Sequence, residues 1–348
     1  MREGPRSRGR PSSTVLPVTV AAGSEIVIEA RGLTKHYGGG IVAVSNLDLA
    51  VRRGEVYGFL GPNGAGKTTT LRVLVGLIRP TAGTALVLGQ RPGAEAALAR
   101  VGSLVESPAF YPYLSGRDNL RVVARYCGVP ESRAAAVLEE VGLTSRARDR
   151  FGTYSLGMRQ RLGVAAALLK EPEVLILDEP SNGLDPQGMV EIRELVRSVG
   201  RGARTVLLSS HLLGEVEQVC DRVGVIQAGR LVAEGTMDEL RGRGGLVLRA
   251  APPDRARALL ADLVGADAIS EREGAFVLRT GPERAAEINA RLVLAGLDVS
   301  EVRPEERSLE QVFLQLTGGE RDIGRQPAGP AEPDGPAEPA EPAEQSAP

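Results

Sequence analysis

Gly61-Pro-Asn-Gly-Ala-Gly66-Lys67-Thr68 stands between the apolar run Val56–Leu60 and a helical pattern over residues 68–77. Few short segments restrict a fold as much. Glycines in such a turn let successive backbone N–H groups point inward, and the following helix adds the positive end of its dipole. The product is an anion cradle of the size of a phosphate chain. In this strand–turn–helix setting Lys67 is placed to reach β- and γ-phosphates, and the Thr68 hydroxyl to ligate Mg²⁺. The nucleotide-binding set expected here is Gly61, Pro62, Asn63, Gly64, Ala65, Gly66, Lys67, Thr68 and Thr69. A plain glycine turn before a helix is the simpler alternative, but every fixed position of the phosphate-binding pattern is matched.

A second segment completes the chemistry. The apolar run 174–177 ends in Asp178 and Glu179. A buried strand that delivers a carboxylate at its C-terminal end puts it where α/β sheets hold ligands. Asp178 then belongs to the Mg²⁺ shell, together with Thr68. Glu179, one residue on, is placed to orient and deprotonate an attacking water. Alone, a strand followed by Asp-Glu is a weak signal; beside the phosphate loop it is a strong one.

Three further segments resemble the ABC transporter ATP-binding family. Tyr154-Ser155-Leu156-Gly157-Met158-Arg159-Gln160 is similar to the family's signature, Ser181-Asn-Gly-Leu184-Asp185 to its D-loop, and Ser210-His211 to its switch histidine. Tyr37 stands where the family stacks an aromatic ring on adenine. The resemblance covers about residues 26–240. It implies an α/β P-loop ATPase domain with a helical subdomain, ATP and Mg²⁺ as ligands, and a head-to-tail homodimer. Each ATP would then lie between one subunit's residues 61–68 and the other's Ser155, Gly157 and Gln160, with His211 on the γ-phosphate. It also implies integral-membrane permease subunits as partners and a cytoplasmic place at the inner face of the membrane.

One position departs from the family's pattern. Glu106, after the short run 101–105, stands where a switch glutamine is usual. A carboxylate keeps the oxygen that can meet Mg²⁺ but loses the amide donor and adds charge. The substitution resembles exporters of the bacitracin and lantibiotic type, and residues 308–317 resemble the closing helix of drug-exporter ATPases. Export is therefore the leading expectation, ahead of an importer subunit and of a soluble regulatory ATPase acting on nucleic acid or the ribosome. A formal net charge of −2 gives no electrostatic case for nucleic acid.

Outside these motifs the chain reads in blocks. Residues 1–24 are an Arg-rich leader whose short apolar stretch, interrupted by Pro17, is expected to be disordered rather than a cleaved signal. The ATPase unit is expected over 25–242, with strands near 25–30, 47–51, 84–88, 205–209 and 223–227 beside those already named. Thr236 and Glu239 form a capping box at its last helix. Residues 243–318 read strand–helix–strand–strand–helix–strand, a small α+β unit of ferredoxin-like order, closed by a helix over 309–316. From 319 the chain is a Pro/Glu/Ala-rich tail with a proline every third residue from Pro327 to Pro342, expected to be a solvated extension. No apolar run approaches the roughly 18–20 residues of a membrane span. The two cysteines, Cys127 and Cys220, lack metal-site spacing and fit a reducing compartment.

Overall fold

The computed structural model describes residues 25–201, 204–241, 245–305 and 313. The leader, the proline-rich tail and, apart from Phe313, the helix expected over 309–316 lie outside the described residues.

Nine strands occupy the first part: β1 (Ile26–His36), β2 (Val42–Arg52), β3 (Val56–Leu60), β4 (Ala82–Val87), β5 (Val101–Leu104), β6 (Val174–Asp178), β7 (Thr205–Ser210), β8 (Arg222–Gln227) and β9 (Arg230–Thr236). The strands of this α/β unit are divided between two sheets. Strands β2-β1-β4 form an antiparallel sheet, and β5-β6-β7-β3-β8-β9 a second one. In the second sheet β5, β6, β7, β3 and β8 run parallel, with β9 antiparallel at its edge.

Strands β3, β6 and β7, in the middle of that sheet, are buried on both faces, which is why they read as largely apolar runs rather than alternating ones. Along β6, Val174 and Ile176 enter one core with Tyr57, Phe59 and residues of the antiparallel sheet, whereas Leu175 and Leu177 enter the other. The alternation follows from successive Cβ atoms pointing to opposite faces of a strand. The helices α1 (Lys67–Leu74), α2 (Glu95–Leu98), α3 (Gly116–Tyr126), α4 (Arg133–Glu140), α5 (Leu156–Leu168), α6 (Pro186–Gly200), α7 (Leu213–Val219) and α8 (Met237–Arg241) connect the strands. Leu120 of α3, Val137 and Leu138 of α4 and Leu162 of α5 belong to one cluster with Leu104 and Leu177. This is the helical layer that the resemblance implied.

Helix α1 is shorter than its apolar pattern. It stops at Leu74 rather than Leu77 because Gly76 takes φ +79°, and a Cβ there would meet the Gly93 backbone at 2.5 Å. The capping box is formed in both directions: Glu239 Oε2 accepts from Thr236 N at 2.8 Å and Thr236 Oγ1 from Glu239 N at 3.2 Å.

The remaining elements are β10 (Leu246–Ala251), α9 (Pro253–Val264), β11 (Ile269–Arg272), β12 (Ala275–Leu278), α10 (Ala285–Leu294) and β13 (Asp298–Pro304). Their sheet order, β11-β12-β10-β13, is fully antiparallel. This is the ferredoxin-like arrangement expected from the order of elements. Leu246, Leu248, Phe276 and Leu278 pack with Leu260, Ile288 and Leu292 of α9 and α10. Phe313 packs against the helical-layer core of the first part.

Candidate active site

Three neighbouring parallel strands bring the candidate residues to one sheet edge. Asp178 pairs in register with Ser209, and Leu60 with Ser210, so β6, β7 and β3 end at the same level. Beyond them lie Glu179, His211 and Gly61, and the Gly61 N–H donates to Ser210 O at 3.2 Å.

The turn that follows β3 has the shape of a cradle. Gly64 and Gly66 take φ +79° and +107°, a region that favours glycine. A Cβ on Gly61 would lie 2.4 Å from Ile226 O, and one on Gly66 2.3 Å from Ala43 O. Pro62, Asn63 and Gly64 are exposed at its rim, Ala65 is buried, and Thr68 and Thr69 are half-buried. Thr70 turns back, its hydroxyl donating to Gly66 O at 2.9 Å. Backbone N–H groups, a lysine, a hydroxyl at the start of α1 and a carboxylate on the next strand suit a phosphate chain with a hard divalent cation.

Lys67 is 4% exposed, and its ammonium donates to Gly61 O at 2.7 Å and Pro62 O at 3.1 Å. The same nitrogen lies 3.1 Å from Glu179 Oε1. The other carboxylate oxygen, Glu179 Oε2, accepts from His211 Nδ1 at 3.0 Å. With Nδ1 committed to Glu179, Nε2 is the ring nitrogen left to meet a ligand. Glu179 itself sits at φ +45°, which costs free energy for a residue with a Cβ.

Ser209 is a site residue that the motif reading did not single out. Its hydroxyl donates to Asp178 Oδ1 at 2.5 Å and accepts from Glu179 N at 3.0 Å. It thereby fixes both carboxylate-bearing residues at the end of β6. Its place at the end of an apolar strand, one residue before Ser210-His211, is the only signal the sequence offered.

The comparisons with known proteins agree with this geometry. A sequence model described as "ABC transporter" matches residues 44–182. The bacitracin transport ATP-binding protein of Bacillus licheniformis is 40% identical over 300 residues, covering 84% of this chain and 98% of the relative. The chain belongs to the ABC transporter ATP-binding family. The daunorubicin resistance ATP-binding protein of Streptomyces coeruleorubidus is likewise 40% identical, over 86% of this chain and 98% of its own length. Among solved structures, an ATP-binding subunit of an ABC transporter superposes with a TM-score of 0.55 at 30% identity, covering 62% of this chain and 92% of that one.

The other expected residues of this ABC ATPase lie as follows. Tyr37 is 38% exposed at the end of β1, with Lys35 Nζ 5.3 Å from its ring centre. The chain then passes into β2, where Ala43 O abuts Gly66. Ser155 caps α5, its hydroxyl accepting from Met158 N at 3.3 Å, and it is exposed; Gly157 is half-buried in the first turn. Gln160 is not presented in the same way. It is 7% exposed and its Oε1 is buried without a hydrogen-bond partner among the described residues. Five positions along the chain carry it roughly 140° around the helix axis from Ser155, which turns it inward. Glu106 is exposed at φ +74° and is ion-paired with Arg72 of α1 rather than joined to Lys67, Asp178 or His211. Its sequence position gave no sign of that cation, which lies 34 residues away.

Proposed function

We propose that this ABC ATPase drives export of a drug-like or membrane-active peptide compound through separately encoded permease subunits. The observation that carries the reading is the 40% identity over nearly the whole length of relatives named for bacitracin transport and daunorubicin resistance. The likeness extends beyond the ATPase motifs, which all relatives with any cargo share. Among the described residues no helix is long and apolar enough to cross a membrane. In this reading residues 25–242 are the catalytic unit and 243–318 a packing or regulatory module.

Within the site, the backbone N–H groups of residues 61–68 and Lys67 hold the β- and γ-phosphates, and Tyr37 offers its ring to adenine. Thr68 and Asp178 hold Mg²⁺, which neutralises charge on the phosphate oxygens when bound. Glu179 accepts a proton from the attacking water as the γ-phosphoryl leaves ADP, and His211, fixed through Nδ1 on that carboxylate, lies at the γ-phosphate. A second copy, head to tail, contributes Ser155 and the N–H of Gly157. Interactions shared across that interface exist only in the closed pair, so ATP favours closure and hydrolysis favours opening.

Reconstitution of the chain with its membrane permease in vesicles tests the proposal. Bacitracin-like peptides or anthracyclines are expected to raise phosphate release and to be moved out of the ATP-containing compartment. Movement only of a solute delivered by a binding protein in the opposite direction would overturn it.

A further inference from the structure

Beyond the residues that meet nucleotide, one buried carboxylate has no role in the chemistry described above. Glu215, in the first turn of α7, is 9% exposed. Its Oε2 accepts from Ser181 Oγ at 2.5 Å and from Ser210 Oγ at 3.1 Å. Both serines are buried, at 6% and 2% exposure. Glu215 Oε1 is buried without a hydrogen-bond partner, and no cation pairs with this carboxylate among the described residues. Burying a carboxylate on two hydroxyls alone is costly. A hydrophobic side chain would fill the space more cheaply, so the useful property is the bond geometry.

The two serines occupy telling positions. Ser181 is two residues beyond Glu179, and Ser210 immediately precedes His211. Glu179 and His211 come from different strands and meet at 3.0 Å. Ser209 ties those strands together before the reacting residues, at Asp178 and Glu179 N. Glu215 ties the same two segments together after Glu179. Between the two ties Glu179 is held at φ +45°, a strained conformation for a residue with a Cβ.

We infer that Glu215 is a positioning residue for hydrolysis, a two-serine clamp that holds Glu179 and His211 in register. The inference rests on the reading of Glu179 as the base. The hydrogen bonds of the Glu215 carboxylate go to Ser181 and Ser210 and none to residues 61–68, so releasing the clamp acts on turnover and leaves nucleotide binding in place.

The test is phosphate release by the purified full chain, normalised to folded protein, for Glu215→Ala, Glu215→Gln, Ser181→Ala and Glu179→Gln. Glu215→Ala is expected to lower kcat roughly 10- to 100-fold, since small misplacements of a reacting group have effects of that order, with KM for ATP within about twofold. Glu215→Gln keeps an acceptor oxygen for both hydroxyls and is expected to retain at least about a third of the wild-type kcat. Ser181→Ala, which removes a single hydroxyl, is expected to lower kcat about 3- to 10-fold, and it decides the matter if Glu215→Ala does not fold. Wild-type kcat in Glu215→Ala, or in Ser181→Ala where the first variant is unfolded, would overturn the clamp. So would an equal loss in Glu215→Gln and Glu215→Ala, because a role in bond geometry demands rescue by the amide. Glu179→Gln separates the two ideas: normal turnover there contradicts the base and not the clamp.

Discussion

Lys67 Nζ lies 3.1 Å from Glu179 Oε1, so the cation of the phosphate loop and the candidate base form an ion pair with little access to solvent, at 4% and 19% side-chain exposure. Removing either partner leaves the other with a poorly solvated charge, whereas removing both does not. The stability losses of Lys67→Met and Glu179→Gln are therefore expected not to add. A double-mutant cycle by urea denaturation should give a coupling of about 0.5–3 kcal/mol. Strict additivity would mean that the pair is not formed in solution.

Glu106 and Arg72 make an ion pair at 58% and 35% exposure. Exposed pairs of this kind contribute about 0–1 kcal/mol. Glu106→Ala and Arg72→Ala are accordingly expected to leave the denaturation midpoint almost unchanged. If Glu106 serves as the switch residue, Glu106→Ala loses transport with the native permease while ATP affinity stays within about threefold, and Glu106→Gln keeps substantial ATPase activity. Normal transport by Glu106→Ala would make it an ordinary surface residue and remove the argument from its departure from glutamine.

Gly102 lies in the middle of β5, where an added Cβ would come 2.2 Å from Ala167 O of α5. The atoms met are the Ala167 carbonyl and the Pro172 ring, neither of which is the flexible end of a side chain. Gly102→Ala is expected to cost about 1–3 kcal/mol, read as a lower urea midpoint at unchanged slope.

Glu173, just ahead of β6, accepts from Arg100, and also from Arg53 at 2.8 Å. The two guanidinium groups, Arg100 first, pull its carboxyl from an ordinary 4.5 to about 2. A carboxyl with a lowered value in the folded state stabilises above its unfolded value, and that contribution is lost as pH falls from about 4.5 to about 2. Solvent reaches this group, so the effect is expected to stay below about 1 kcal/mol. The melting-temperature difference between wild type and Glu173→Gln should shrink across that interval; a difference constant with pH would contradict the assignment.

How far the sequence could be read follows from the range of the interactions. The phosphate loop and the Thr236–Glu239 capping box are local, and each was legible because backbone conformation and side-chain partners lie within a few residues. The βαββαβ order was legible because periodicity changes at each element. The separate antiparallel sheet was not: β1 pairs with β4, Ile28 opposite Val87, across the phosphate loop and α1. The Arg72–Glu106 pair and the Glu215 contacts with Ser181 and Ser210 were hidden for the same reason, because their partners are joined only by tertiary packing. The burial of Gln160 was hidden too, because motif spacing records position along a helix and not which side chains the fold covers.

The central claim is that this chain hydrolyses ATP with Glu179 as the base at the end of β6. Its most direct test is steady-state phosphate release by purified Glu179→Gln beside wild type, with ATP binding measured on the same samples. The substitution keeps the shape and removes the proton acceptor. ATP affinity within about threefold of wild type and turnover lower by at least about 100-fold are predicted. Turnover within about twofold of wild type would contradict the assignment of Glu179.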